Sequence, residues 1–138
     1  MIEALAEAEL IERARQLAAS LPGGAVVWLE GPLGSGKTTF ARALLAARGA
    51  RLPATSPTFN LAHHHEGPRG AAYHVDCYRL KDPEEAGELD WEGMQQADLL
   101  LVEWPERGGA WVPPPVARVS LDYAADPDRR TFRIEGAA

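Results

Sequence analysis

The sequence predicts an α/β fold with three layers around a central mixed sheet, parallel at its core and antiparallel at its edges. Three observations carry this prediction. The apolar, β-branched run AVVWLE (25–30) is flanked by glycines and leads directly into a glycine-rich turn and a helix-forming segment. The run ADLLLVE (97–103) shows no alternation, as expected of a strand covered on both faces. Two pairs of extended segments, each bracketing a turn, supply antiparallel edges.

The elements follow in chain order. Leu10, Ala14, Leu17, Ala18 and Leu21 form one helical stripe that Pro22, Gly23 and Gly24 bring to an end. After the strand 25–30 and its glycine turn, KTTFARALLAAR (37–48) is built of good helix formers and meets Gly49 where a C-terminal cap belongs. SPTFNLAHHHEG and AAYHVDCYRL flank GPRG, which predicts a hairpin. Asp82-Pro83-Glu84-Glu85 predicts the capped start of a short helix, and 97–103 a central, parallel strand. Beyond Pro113, Pro114 and Pro115, VARVSLDY and TFRIE bracket AADPDRR and predict a closing antiparallel hairpin.

With 138 residues, 46% of them hydrophobic, the chain has material for one core, so residues 1–138 are read as a single domain. Twenty acidic residues against 14 basic ones give a net charge of -6. No overall positive field draws in a nucleic-acid backbone, so any RNA role runs through a partner or a local patch. Cys77 is the only cysteine, which excludes an internal disulfide and a cysteine-built zinc site and suits a reducing cytosol. The N-terminal stretch lacks the pattern of a secretory signal, and no segment approaches the ~20 apolar residues of a membrane span. A cytoplasmic protein without membrane association is expected.

Gly31-Pro32-Leu33-Gly34-Ser35-Gly36-Lys37-Thr38 matches G-x-x-x-x-G-K-[ST] between a predicted strand and a predicted helix, the context that makes this a P-loop. Nucleotide contacts are expected from Gly31, Leu33, Gly34, Ser35, Gly36, Lys37, Thr38 and Thr39: the glycines let backbone N–H groups converge on phosphate oxygens, and the helix N-terminus adds its positive end. Lys37 is expected to meet the β and γ oxygens, and the Thr38 hydroxyl to ligate Mg²⁺. Lysine occurs only twice, against 12 arginines, and one copy stands where a compact ammonium fits and a planar guanidinium does not.

A P-loop site needs a carboxylate for Mg²⁺ or its waters at the end of a neighbouring strand. Asp76 and Glu103 both end predicted strands, and each alone is also compatible with a solvated strand-end charge. Thr58, in SPTF, is compatible with a switch-like hydroxyl and equally with a Ser-Pro turn opening a strand. His63, His64 and His65 cannot converge on one ion from a regular strand, because consecutive residues alternate faces, and are read as exposed or partner-facing. Trp104 is read by default as a rim residue, with shielding of the phosphates as the other reading.

In this order, GPLGSGKTTF, SPTF, HVDCYRL and LLLVEWPE resemble the TsaE (YjeE) family, from about Val26 to the final hairpin. Ser35 stands where many relatives carry alanine. The resemblance implies a weak Mg²⁺-dependent ATPase needed for N6-threonylcarbamoyladenosine in tRNAs reading ANN codons, acting with TsaB and TsaD to support multiple turnover and reaching tRNA only through them. It implies that Lys37 and Thr38 bind ATP or ADP and Mg²⁺, that Asp76 and Glu103 serve the metal and hydrolysis, that Thr58 belongs to a switch segment, and that Trp104 sits near the phosphates. Glu103 is therefore expected to face the site. A GTPase would carry an Asn/Thr-Lys-x-Asp segment, and neither Lys37 nor Lys81 has that setting. A small-molecule kinase needs a lid and an acceptor pocket, for which little chain remains. A third reading, from another class, is a nucleotide-dependent interaction module whose slow hydrolysis resets a complex.

Overall fold

In a computed structural model the described residues are 2–51, 56–58 and 61–136, with only the backbone described for 56–58. The elements are β1 (Glu3–Ala6), α1 (Glu7–Ser20), β2 (Ala25–Glu30), α2 (Lys37–Ala47), β3 (Ser56–Thr58), β4 (Ala62–His65), β5 (Ala72–Asp76), a 3₁₀ turn Pro83–Glu88, α3 (Trp91–Met94), β6 (Leu99–Glu103), α4 (Pro105–Gly108), a 3₁₀ turn Gly109–Trp111, β7 (Ala117–Tyr123) and β8 (Arg129–Gly136).

The eight strands form one sheet in the order β1-β8-β7-β2-β6-β5-β4-β3. The pairs β2–β6, β2–β7 and β5–β6 are parallel, and β1–β8, β7–β8, β4–β5 and β3–β4 are antiparallel. The expected parallel core with antiparallel edges is therefore present. The unbroken apolar runs have a simple cause. Val27, Leu29, Leu99 and Leu101 pack under α1 and α2, against Leu10, Ala14, Leu17, Phe40 and Leu44. Val26, Leu100 and Val102 point the other way, to Val75, Leu80, Leu89, Trp91 and Met94. Strands covered on both faces have no polar side to show.

β1 departs from the sequence expectation, which placed no strand before the first helix. Glu and Ala are weak strand formers, so the local signal is poor. Pairing of Glu3–Ala6 with Arg129–Phe132 of β8 and burial of Leu5 override it. The 3₁₀ turn at Pro83 starts as expected, with the Asp82 carboxylate accepting from Glu84 N–H at 2.9 Å. Cys77 is buried, and burial pushes its thiol up to about 12, which leaves it inert. Among the described residues no helix is long and apolar enough to cross a membrane.

Candidate functional site

The site lies at the carboxyl edge of the parallel core, where the β2–α2 loop emerges. Gly36, at φ 99°, turns the chain into α2, whose first helical bond runs from Phe40 N–H to Gly36 O. The amides of Lys37, Thr38 and Thr39 precede that bond and, with no side-chain cap present, stand open at the positive end of the helix. Gly31 is glycine for a packing reason as well: at φ 146°, a Cβ there would lie 2.0 Å from Leu121 O. The apex of the loop is held by the closing hairpin. Tyr123 Oη–H donates to Leu33 O, and Arg130 Nε–H to Gly34 O at 3.2 Å.

Asp76 and Glu103 are direct register partners on parallel strands, which puts their backbones about 4.8 Å apart. Both lie on the face of the sheet that carries Ala72, Leu99 and Leu101, the face covered by α1 and α2. Glu103 is 5% exposed, so the surface-charge reading does not hold for it. Its Oε2 accepts from His74 Nε2–H at 2.5 Å. Asp76 is exposed, and its Oδ1 accepts from Tyr78 N–H at 2.9 Å. Lys37 is buried, donates from Nζ to Gly31 O and sits 3.9 Å from the centroid of the Trp104 ring. Burial lowers its pKa from the ordinary lysine value, opposed by the Glu103 and Asp76 carboxylates.

Lys37, Thr38, Thr39, Asp76, Glu103 and Trp104 all line one cavity of about 530 Å³. Its far wall was not anticipated: Leu5 comes from β1, Glu7 and Leu10 from the start of α1, Pro127 and Asp128 from the β7–β8 turn, and Arg130 from the start of β8. β1, which joins these two regions through β8, had no strand signal of its own. Arg107 was also missed. It stacks over Tyr78 and Trp104, 4.8 and 4.9 Å from their centroids, and donates to Tyr78 O at 2.6 Å.

The oxygens present suit a hard cation. Among the described residues no group of three or more His, Cys, Asp and Glu assembles that would hold a metal alone. A hydroxyl and two carboxylates, with phosphate and water oxygens completing the shell, is the usual manner of Mg²⁺ binding.

Two other expectations fare differently. The β3 backbone puts Thr58 opposite Ala62 of β4, but its side chain lies outside the described residues, so its switch role gains no support here. The histidine triplet is corrected at one position. His63 is exposed and His64 half-buried, but His65 is 5% exposed and packs inward, its Nδ1–H donating to Arg51 O at 3.0 Å. His63 and His65 share one face of β4, so their different burial comes not from alternation but from what covers the strand end, where the Arg51 carbonyl meets His65.

Comparison with known proteins converges on one family. Residues 5–132 match the model of TsaE, threonylcarbamoyl adenosine biosynthesis protein. The chain is similar to the tRNA threonylcarbamoyladenosine biosynthesis protein TsaE of Rickettsia conorii, at 39% identity over 129 residues, covering 93% of this chain and 73% of that one. It is similar to the protein of the same name from Aquifex aeolicus, at 37% identity over 103 residues, covering 73% of each. Its fold matches the crystal structure of YdiB from Bacillus with a TM-score of 0.72 and 26% identity, over 100% of this chain and 88% of the other. A phosphate loop, two facing strand-end carboxylates and this similarity over nearly the whole chain place the protein in the TsaE family.

Proposed function

We propose that the protein binds ATP and Mg²⁺ in this cavity, hydrolyses ATP slowly, and thereby supports N6-threonylcarbamoyladenosine formation on tRNA together with TsaB and TsaD. The observation that carries the reading is the convergence of Lys37, Thr38, Asp76 and Glu103 on one cavity at the open end of α2. The open amides at the start of α2, Lys37, Thr38 and Thr39, receive the phosphates, and the nucleoside extends toward Leu5, Leu10 and Arg130 along the rest of the cavity. Lys37 leaves the Gly31 carbonyl for the β and γ oxygens, exchanging an internal acceptor for a charged one. Thr38, Asp76 and Glu103 would hold Mg²⁺, which supplies charge neutralisation on the triphosphate. Glu103, buried and fixed by His74, is suited to hold or orient water at the γ-phosphate.

The net charge of -6 agrees with tRNA being gripped by partners rather than by this chain. A cytoplasmic location and action as a single domain belong to the same reading.

The test is ATP hydrolysis with Mg²⁺ by the purified protein, alone and with TsaB and TsaD, following modified tRNA in the same tubes. Weak hydrolysis alone, stimulation by the partners and multiple rounds of modification are expected. Glu103→Ala is expected to retain the fold and lose about 100-fold or more in turnover. Transfer of the γ-phosphate to a metabolite, with no effect on tRNA, would sink the reading in favour of a kinase.

A further inference from the structure

We infer that His74 is the positioning residue of the site, fixing the Glu103 carboxylate through Oε2 so that Oε1 faces the cavity. The inference rests on the reading that Glu103 serves ATP turnover.

The Glu103 side chain is 7% exposed, and a carboxylate so buried needs a donor. His74 Nε2, 2.5 Å from Oε2, supplies one. A carboxylate only accepts, so Nε2 carries the proton and the imidazole tautomer is set by the contact. Oε1 has no hydrogen bond among the described residues, and Glu103 lines the cavity.

The sheet register makes the contact a built one. His74 pairs with Leu101 and Asp76 with Glu103, so His74 lies two residues before Asp76 on the same face and one step back from Glu103. From that position it reaches Glu103 diagonally across the parallel pair. His74 is not in the cavity wall, so it acts on the site only through Glu103. The main competing donor is committed elsewhere: Lys37 Nζ is drawn to Gly31 O and the Trp104 ring.

Without His74, Glu103 would keep its place in the sequence but lose the contact that sets its rotamer. Partners that orient a metal-ligating or water-orienting group typically matter 10- to 100-fold. The chemistry would suffer more than nucleotide binding, because the phosphates are received by loop amides that His74 does not touch.

The experiment compares wild type, His74→Ala, His74→Gln, Glu103→Ala and the double variant His74→Ala/Glu103→Ala as full chains, under the ATPase conditions described above. It reads kcat, KM for ATP, nucleotide affinity and melting temperature. His74→Ala is expected to lower kcat about 10- to 100-fold, with KM and nucleotide affinity unchanged. His74→Gln, whose amide donates from nearly the same place, is expected to recover much of the loss. The double variant should be no worse than Glu103→Ala, as for two residues acting as a unit. Full kcat in His74→Ala beside an inactive Glu103→Ala would overturn the inference while leaving the Glu103 reading intact. So would a loss explained wholly by unfolding and not recovered by Gln. Full turnover in Glu103→Ala would overturn the Glu103 reading and, with it, the inference.

Discussion

Lys37 Nζ lies 3.9 Å from the centroid of the Trp104 ring while donating to Gly31 O, so the phosphate-loop lysine already has internal partners. A cation over a half-buried indole is worth about 1–2 kcal/mol. The ring is held there by an unusual backbone: Trp104, at φ 55°, is the one non-glycine among the described residues with a positive φ. Glu103 ends β6, Trp104 makes the left-handed step, and Pro105 starts α4, so the three residues turn the chain sharply at the cavity.

That step has a measurable cost. An L-residue in the left-handed region loses roughly 1–2 kcal/mol relative to its normal conformation, and glycine escapes the penalty. Trp104→Gly and Trp104→Ala both delete the ring and the cation–π contact, so they differ mainly in backbone preference. Trp104→Gly is expected to be the more stable of the two by about 1 kcal/mol in urea unfolding. Equal midpoints, or a more stable alanine variant, would show that the backbone is not strained there.

Ser35 gives a second test within the loop. Its Oγ is fully buried and has no hydrogen-bond partner among the described residues. Burying an unsatisfied hydroxyl costs about 1–3 kcal/mol. Ser35→Ala is expected to raise stability by about 1 kcal/mol, since the backbone N–H, which donates to Pro32 O at 3.3 Å, is unchanged and only the idle hydroxyl goes. A destabilised variant would mean that the hydroxyl has a partner in solution, most simply an ordered water.

Much of this architecture was legible because it is written in local pattern. β2 and β6 are apolar on both faces, the loop between β2 and α2 has fixed spacing, and Asp82 caps its turn through its own side chain. Asp76 and Glu103 could each be placed at a strand end, but that they are register partners depends on two strands 27 residues apart pairing in parallel. β1 was hidden because Glu3 and Ala4 take their conformation from β8. The cavity wall at Leu5, Glu7 and Arg130 was hidden for the same reason, being made by a contact between the two ends of the described chain. His74 stood in plain view beside Asp76, yet only the register aims it at Glu103 rather than at solvent.

Arg48 also gained its meaning from the fold, since in the sequence it is only the last residue of the helix-forming segment 37–48. It is 3% exposed and pairs with Asp98 at 2.7 Å. It also donates to Ala18 O at 2.9 Å and Leu21 O at 2.8 Å. One guanidinium thus joins the ends of α1 and α2 to the start of β6. Removing one partner of a buried pair leaves the other charge and several carbonyls unsatisfied, a loss of about 3–5 kcal/mol. Arg48→Met is expected to lose that much in urea unfolding, while ATP turnover per folded molecule stays unchanged at low temperature. A loss below about 1 kcal/mol would place Arg48 with ordinary surface ion pairs instead.

His65 predicts a pH dependence of stability. Burial lowers its pKa from 6.5, against the pull of the Arg51 carbonyl and with help from the neighbouring histidines. The unfolded chain therefore binds the proton more readily than the folded one between the lowered value and 6.5. The stability contributed by neutral His65 is fully present above 6.5 and is lost as pH falls through that window. Asn in its place keeps a nitrogen that can donate to Arg51 O and does not titrate. The urea midpoint of the wild type is expected to fall more steeply between about pH 8 and about pH 5 than that of His65→Asn, since only the wild type must expel or bury a proton there. Parallel curves for the two proteins would mean that the pocket accepts the imidazolium as readily as the imidazole, contrary to the burial of the ring.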